Sequence, residues 1–265
     1  VNFGDTITGT TSHDLTITGN LDLDGALTDV VDLSISGTSN LGANVTTSGT
    51  QTYTGDVTIS TDVSINTSGG NVTFSSTVDS DAIGTKRDLT LTLGSGAATF
   101  SGIVGTTSLA DITLNSSATF NAAVTADNLT IAASKTATVK DDVTIASNIA
   151  LSGSSTLEVL NASTMSIAGT ITDTGTGNTI TVNDSNATDE APDEVTFLST
   201  VAADTLTVGS STTASPAKFT GSSGVTIANI TITGGNHADE DSTATFNYAL
   251  TSTTITLDDN TGDSY

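Results

Sequence analysis

Carboxylates are the side chains whose type and spacing in this sequence suggest chemistry. Segment 184–194 carries five of them: Asp184, Asp189, Glu190, Asp193 and Glu194. A second cluster, Asp239, Glu240 and Asp241, follows a Gly-Gly-Asn sequence, and a third comprises Asp258, Asp259 and Asp263. Calcium takes about six to eight oxygen ligands, which a loop of carboxylates and carbonyls can supply. The three clusters are therefore candidate calcium sites, with segment 184–194 favoured, and the alternative is that each is a solvated acidic loop.

Residues for nucleophilic catalysis are sparse. The sequence contains no Gly-x-Ser-x-Gly motif and no Walker loop, and its two histidines, His13 and His237, stand near opposite ends of the sequence. A Ser-His-Asp site would have to use one of these isolated histidines. We predict that the chain is not an enzyme. A glycosidase that works with a pair of carboxylates is the enzymatic alternative, because an acidic strand-rich chain contains many such pairs.

The charge balance excludes several classes of partner. The chain has 29 Asp and Glu residues against five Lys and Arg residues, which gives a formal net charge of −24. The five basic residues, Lys86, Arg87, Lys135, Lys140 and Lys218, form no patch, so binding to nucleic acid by neutralising phosphates is excluded. High salt, bound divalent cations or an elongated shape would make such self-repulsion tolerable. These conditions favour an extracellular or cell-surface location.

Membrane insertion and disulfide chemistry are not expected. No run of about 18 apolar residues occurs, which is the minimum for a membrane-spanning helix. The sequence has no cysteine. We therefore expect stability to come from apolar burial and from backbone hydrogen bonds between strands.

A repeated sequence motif indicates the type of structural element that positions the acidic side chains. The motif Thr-Phe-x-x-x-Val occurs four times, beginning at Thr73, Thr99, Thr119 and Thr196. A degenerate copy begins at Thr138, where Val139 replaces the phenylalanine. The first copies recur with a loose period of about 20 residues, which is typical of stacked repeats. We predict that the four repeat phenylalanines form a buried aromatic stack, and the alternative is that they stack against a ligand.

Hydrophobic alternation predicts that these repeats are strands. Short runs such as Asp14–Thr18, Asp88–Leu93 and Thr253–Leu257 alternate aliphatic with hydroxyl or acidic side chains, which is the pattern of a strand with one buried face. No helical periodicity occurs, and Gly, Asn, Asp and Ser separate the runs. The predicted fold class is all-β, an elongated β-solenoid of roughly a dozen coils with no helical domain. It forms one domain over residues 1–265, and residues 183–194 form an acidic loop excursion.

Residues 49–124 resemble a known family of repeats. The resemblance rests on the segments Gly49–Ile59, Gly70–Val78, Ala98–Gly105 and Ala118–Val124. These are similar to the tandem β-strand repeats of large secreted bacterial exoproteins of the filamentous-haemagglutinin type. The resemblance implies a right-handed β-helix that serves in surface attachment or envelope structure, and it brings no catalytic residues. The chain departs from that family in its length of 265 residues and in showing no recognisable secretion or anchor domain.

Three functions fit a sequence of this kind. The leading hypothesis is a non-catalytic extracellular structural protein, a subunit or segment of a surface filament, sheath or adhesin. It would assemble with copies of itself, because both ends of the sequence are strand-like and neither looks like a cap. The alternative is an adhesin module that binds a surface glycan. A third hypothesis is ice binding through stacked Thr-x-Thr motifs, at Thr6, Thr16, Thr179, Thr231 and Thr254, although their irregular spacing predicts that they do not stack as one ladder.

Overall fold

A computed structural model describes residues 1–8, 13–160, 164–183, 195–198, 200–209, 216–220, 224–233 and 242–258. Within these ranges the protein contains 32 strands and no helix, and parallel pairing of the strands forms a β-solenoid of about ten turns. The predicted all-β solenoid is therefore confirmed, with slightly fewer turns than the predicted dozen. The chain divides into two compact units, Val1–Thr130 (unit 1) and Ile131–Tyr265 (unit 2).

Unit 1 is built from strands that are mostly three residues long. They are β1 (Asn2–Phe3), β2 (Ile7–Thr8), β3 (Leu15–Ile17), β4 (Leu21–Leu23), β5 (Leu27–Val30), β6 (Leu33–Ile35), β7 (Ser39–Leu41), β8 (Val45–Thr47), β9 (Gln51–Tyr53), β10 (Val57–Ile59), β11 (Val63–Thr67), β12 (Val72–Phe74), β13 (Val78–Ser80), β14 (Leu89–Thr92), β15 (Ala98–Phe100), β16 (Val104–Leu114), β17 (Ala118–Phe120) and β18 (Val124–Ile131). Most three-residue strands bury their first and third residues and direct the middle residue outward, as the period of two requires.

Three parallel ladders run through unit 1, and each turn adds one strand to each ladder. They are β1–β4–β7–β10–β13–β16, β2–β5–β8–β11–β14–β16 and β3–β6–β9–β12–β15–β17. The long strand β16 serves two ladders, since its first residue pairs with β13 and its last three pair with β14. Leu, Ile and Val from all three ladders fill the space that the turns enclose.

The third ladder of unit 1 carries a continuous aromatic stack in the core. Tyr53, Phe74, Phe100 and Phe120 are at most 1% exposed. Successive ring centroids are 5.1, 4.7 and 4.7 Å apart, and the rings are tilted by no more than 12° from one another. The two 4.7 Å distances match the separation of neighbouring strands in a sheet, about 4.7–4.9 Å, and the Tyr53–Phe74 distance is slightly longer. The prediction that these phenylalanines are core residues is confirmed.

Unit 2 contains the remaining strands. They are β19 (Thr136–Val139), β20 (Val143–Ile145), β21 (Ile149–Leu151), β22 (Thr156–Leu160), β23 (Thr164–Ile167), β24 (Thr170–Asp173), β25 (Thr179–Asn183), β26 (Val195–Phe197), β27 (Thr200–Val208), β28 (Pro216–Phe219), β29 (Val225–Thr233), β30 (Thr243–Phe246), β31 (Leu250–Thr251) and β32 (Thr254–Asp258). Their ladders are β19–β22–β25–β27–β29–β32, β20–β23–β26–β28–β30 and β21–β24–β27–β29–β31. Strands β27 and β29 each belong to two ladders.

The last two copies of the Thr-Phe-x-x-x-Val motif lie on different ladders in unit 2. Phe197 lies in β26 and stacks on Phe219, which stacks on Phe246, with centroids 4.7 and 4.9 Å apart. Val139, from the degenerate copy, lies in β19, which belongs to a different ladder. The motif therefore predicts that its second residue is a buried aliphatic or aromatic side chain, but it does not predict to which ladder that residue belongs. Phe197 is fully buried, as predicted.

A buried polar pair terminates the aromatic stack of unit 1. Gln51 is fully buried, and its side-chain amide donates to Thr47 Oγ1 at 3.2 Å and to the Asn66 carbonyl at 3.0 Å. The Tyr53 hydroxyl donates to Gln51 Oε1 at 2.9 Å. Burial raises the pKa of Tyr53. In the unfolded chain the tyrosine hydroxyl ionises at about pH 10. The stability that the neutral, buried Tyr53 contributes is therefore lost as the pH rises above that value.

We expect Tyr53→Phe to lower the free energy of unfolding by about 1–2 kcal/mol, because Gln51 Oε1 loses its donor inside the core. Urea unfolding followed by circular dichroism measures the change. Thr52→Ala is the control, because this half-buried residue lies between Gln51 and Tyr53 on the same strand and points outward, and it should change stability by less than about 1 kcal/mol. A Tyr53→Phe variant as stable as the wild type would show that the hydroxyl contributes nothing.

Candidate binding surfaces

The predicted calcium ligands lie outside the described residues. This applies to Asp184, Asp189, Glu190, Asp193, Glu194, Asp239, Glu240 and Asp241. In the third acidic cluster, Asp259 and Asp263 are likewise outside the described ranges. Among the described residues, no group of three or more His, Asp or Glu side chains is arranged to hold a metal ion. Calcium binding by these segments therefore stays a prediction.

Carboxylates in the described ranges serve the turns of the solenoid. Asp32 Oδ1 accepts hydrogen bonds from the backbone N–H and the hydroxyl of Thr50, at 2.5 and 2.9 Å. Asp62 accepts the N–H of Asp88 at 3.1 Å, and Asp88 accepts the N–H of Asp111 at 3.0 Å. Each bond links one turn to the next, and three of the four satisfy a backbone N–H. Much of the acidic content therefore has a structural role.

Asparagine side chains act in the same way. Asn20, Asn44, Asn71 and Asn148 accept backbone N–H groups of the following turn at distances of 2.8–3.0 Å. Asx residues favour turns because their short side chains reach backbone groups of this kind. The sequence pattern places these residues in turns but carries no sign that they join successive turns.

The described histidine is also a turn residue. His13 is exposed, and its carbonyl accepts the N–H of Val31 at 2.9 Å. His237 lies outside the described residues.

Two of the basic side chains pair with carboxylates in unit 1. Lys86 Nζ contacts Asp127 Oδ1, and Arg87 donates to both carboxylate oxygens of Asp81 at 2.7 and 3.1 Å. The hydrogen bond from Arg87 holds the pKa of Asp81 below its ordinary value. The pair therefore stabilises the fold above the ordinary pKa of an aspartate, about 3.9, and this contribution is lost as the pH falls through the lowered value. These cations are neutralised within the fold, which leaves little attraction for an anionic ligand.

A groove of about 290 Å³ in unit 2 is lined by Asp173, Ala202, Ala203, Asp204, Thr226, Ile227, Ala228, Thr251, Ser252 and Thr253. Its two carboxylates hold a turn. Asp173 Oδ1 accepts from the Asn178 amide at 2.5 Å, and Asp204 Oδ2 accepts the N–H groups of Gly177 and Asn178. Asn178 is fully buried. Both carboxylates therefore accept hydrogen bonds from the turn at Gly177 and Asn178.

Paired threonines form a regular array on the outer side of one ladder of unit 2. The ladder β19–β22–β25–β27–β29–β32 presents twelve positions in two rows, and ten of them are threonine. One row is Thr136, Thr156, Thr179, Thr205, Asn229 and Thr254, and the other is Thr138, Glu158, Thr181, Thr207, Thr231 and Thr256. We call these twelve residues the threonine face.

The threonine face points away from the core. Between the two rows lie Ala137, Leu157, Ile180, Leu206 and Ile230 in the strands from β19 to β29, and all five are at most 1% exposed. Because side chains alternate along a strand, the flanking threonines project outward, where they are half-buried or exposed.

The prediction that irregular spacing prevents the Thr-x-Thr motifs from stacking is wrong for two of the three motifs in unit 2. Thr179-Ile-Thr181 and Thr254-Ile-Thr256 lie in register on one ladder. The motif at Thr231 is offset by two residues, because its Thr233 aligns with Asp258. Thr181 is in register with Thr207, Thr207 with Thr231, and Thr231 with Thr256. The sequence separation differs at each of these steps, and the connections between strands absorb the differences without a register shift. The motifs at Thr6 and Thr16 lie in unit 1, where Thr8 and Thr16 belong to separate ladders.

Comparisons with known proteins found no relative. No family model, no curated protein and no solved structure matches the chain. The class of protein is thus given by the fold, a parallel β-solenoid. In the part of the chain that the structure describes, no helix is long and apolar enough to cross a membrane.

Proposed function

We propose that the protein is a non-catalytic structural component of the cell surface, whose copies join end to end through open β-edges. The observation that carries this proposal is an uncovered apolar edge in unit 2. In β32, Ile255 is 55% exposed and Leu257 is 75% exposed. Their ladder partners in β29 are Ile230, which is 1% exposed, and Ile232, which is half-buried. A further strand laid on β32 would cover Ile255 and Leu257 in the same way.

The backbone of β32 supports the same proposal. Within the described residues β32 pairs with β29 along one side. Unpaired N–H and C=O groups along a strand edge are a template for another strand. In unit 1, strand β1 pairs with β4 and strand β2 pairs with β5 within the described ranges. Two different edges that meet make a heterologous contact, which extends as a fibre when it does not close.

The polar side chains support a role without catalysis. Carboxylates and amides of the described turns accept backbone N–H groups of neighbouring turns, and those of the groove hold the turn at Asn178. A structural component needs rigid repetition, and these hydrogen bonds supply it. The resemblance of residues 49–124 to filamentous-haemagglutinin-type repeats supports the cell-surface location.

Charge governs the conditions under which this assembly forms. Two copies that each carry a formal charge of −24 repel one another in dilute buffer. Salt shortens the Debye length to about 3 Å at 1 M, and divalent cations bridge carboxylates. We therefore expect assembly to be weak at low ionic strength and favoured by salt or calcium.

We expect the purified chain to form fibres in high salt or calcium, measured by light scattering and negative-stain electron microscopy. The variant Ile255→Lys/Leu257→Lys should stay monomeric, because it places charge on the uncovered edge. Thr256→Lys is the matched control, since it adds the same kind of charge to the same strand on the outward face. Removal of residues 1–20 or 250–265 should leave a folded species that no longer extends.

A chain that stays monomeric with and without calcium at high salt would overturn the proposal and favour a surface-binding adhesin module. Fibres that form equally well from Ile255→Lys/Leu257→Lys would show that this edge is not the contact. Circular dichroism melts of every variant verify that loss of assembly is not loss of folding.

A further inference from the structure

The threonine face has the composition of a surface built for an uncharged, ordered partner. Ten of its twelve positions are threonine, and Glu158 is its one ionisable side chain. The chain as a whole carries 29 acidic residues. A face with so little charge on so acidic a protein matches a partner without charge, because an ionic partner would be recognised by the opposite charge.

The spacing of the rows defines a two-dimensional lattice. Neighbouring strands lie about 4.7–4.9 Å apart, and alternate residues along a strand lie about 6.4–6.8 Å apart. Every strand of the ladder keeps this register from β19 to β32. A lattice of hydroxyl and methyl groups recognises a partner whose own groups repeat with the same spacings. A flexible molecule has no such fixed repeat.

We propose that the threonine face binds ice. The spacing between strands is close to the shorter oxygen repeat on the prism surface of hexagonal ice, and the spacing along the strand is somewhat below the longer repeat. A threonine side chain offers a hydroxyl that can take the place of a lattice water and a methyl that fits between lattice positions. Thr138 is engaged within the face, where its hydroxyl donates to Glu158 at 2.7 Å. The β-branched side chain has few rotamers, so the array is ordered before it binds. This activity belongs to the outer face of a ladder and does not depend on end-to-end assembly.

The threonine face is richer in threonine than the other outward rows of unit 2. Threonine favours strands wherever they occur, so propensity would spread it evenly over the outward rows. A second outward row of unit 2 reads Thr164, Thr196, Lys218 and Thr245, and a third reads Ala150, Thr172, Ala202, Thr226 and Thr251. These rows include a lysine and two alanines. Two adjacent rows with ten threonines occur on one ladder.

A crystalline polysaccharide is the competing partner with a regular surface. Such polymers are generally held by aromatic side chains that stack on the sugar rings. The twelve positions of the threonine face include no aromatic residue. Ice, which offers hydrogen bonds and small hollows without rings, fits the face better.

The test uses the whole purified chain, and the probe is ice itself. We expect the wild type to enter a slowly growing ice hemisphere and to inhibit recrystallisation of a frozen film. Thr231→Tyr, in the middle of the face, should be excluded from the ice and lose the inhibition, because a ring breaks the lattice. Thr207→Tyr on the neighbouring strand should act in the same way. Thr226→Tyr is the matched control: it lies on the same strand as Thr231 but on another ladder, and it should behave like the wild type.

Exclusion of the wild type from ice, as for an unrelated acidic protein, would overturn the proposal. Equal behaviour of Thr231→Tyr and Thr226→Tyr, in chains whose circular dichroism melts match the wild type, would also overturn it. Retention of the wild type on crystalline cellulose or chitin, lost in Thr231→Tyr and without ice binding, would assign the face to a polysaccharide instead.

Discussion

Phe100→Ala is expected to lower the free energy of unfolding by about 3–5 kcal/mol, the usual effect of emptying a packed aromatic site. Phe100 is fully buried between Phe74 and Phe120, with both ring centroids 4.7 Å away. Its removal interrupts the stack on both sides, and the parallel ladders on either side hold the backbone in place, so the cavity cannot close easily. Urea unfolding followed by the strand signal in circular dichroism measures the loss.

The matched control is Thr99→Ala, which truncates the outward residue next to Phe100 on the same strand. It should change stability by less than about 1 kcal/mol, the range of strand propensities. If Phe100→Ala does not fold, Phe100→Leu fills part of the space and should give an intermediate, measurable loss. Melting of Phe100→Ala at the wild-type temperature would mean that the aromatic stack does not support unit 1.

The sequence predicts the core of this fold well because the core obeys a local rule. A strand with one buried face alternates apolar and polar side chains, and the large inward side chain of a narrow solenoid recurs from turn to turn. The sequence alone therefore places Phe74, Phe100 and Phe120 in the core. The assignment of strands to ladders is not local. It depends on how many residues each connection uses, which is why Val139 and Phe197 share a motif but lie on different ladders.

The threonine face illustrates the same limit. Thr181, Thr207, Thr231 and Thr256 are spaced irregularly in the sequence, yet they share one row. The signal that reveals the row is the aliphatic residue between each pair of outward positions, which fixes the register regardless of loop length. Ile180, Leu206, Ile230 and Ile255 are these central residues, and aligning them brings the threonines into line.

The sequence does not predict which polar groups are buried. Gln51 and Asn178 are fully buried, and each is satisfied by hydrogen bonds to partners that include backbone groups distant in sequence. A polar residue in a strand or turn gives no local sign that its partners will surround it, since those partners come from other turns.

Stacked glycines at the turns of unit 1 support the second prediction with a large effect. A Cβ added to Gly70 would overlap the carbonyl group of Gly49 and lie 2.6 Å from the amide nitrogen of Thr50. A Cβ added to Gly96 would overlap the carbonyl oxygen of Gly70 in turn. Successive turns therefore approach one another through backbone at these positions, where no side chain fits. The neighbouring atoms belong to the backbone of a paired turn, so they cannot move aside as a flexible side chain would.

We expect Gly70→Ala to lower the free energy of unfolding by about 3 kcal/mol or more, at the upper end of the effect of overpacking. Gly84→Ala is the matched control, because a Cβ there has no neighbour within 4 Å and the residue is exposed. It should be neutral or stabilise by about 0.4–1 kcal/mol through the unfolded chain. Urea unfolding of the two variants separates the explanations. Equal stability of Gly70→Ala and Gly84→Ala would mean that the turns are free to separate, whereas a large difference between them locates the rigidity of unit 1 in direct backbone contact between turns.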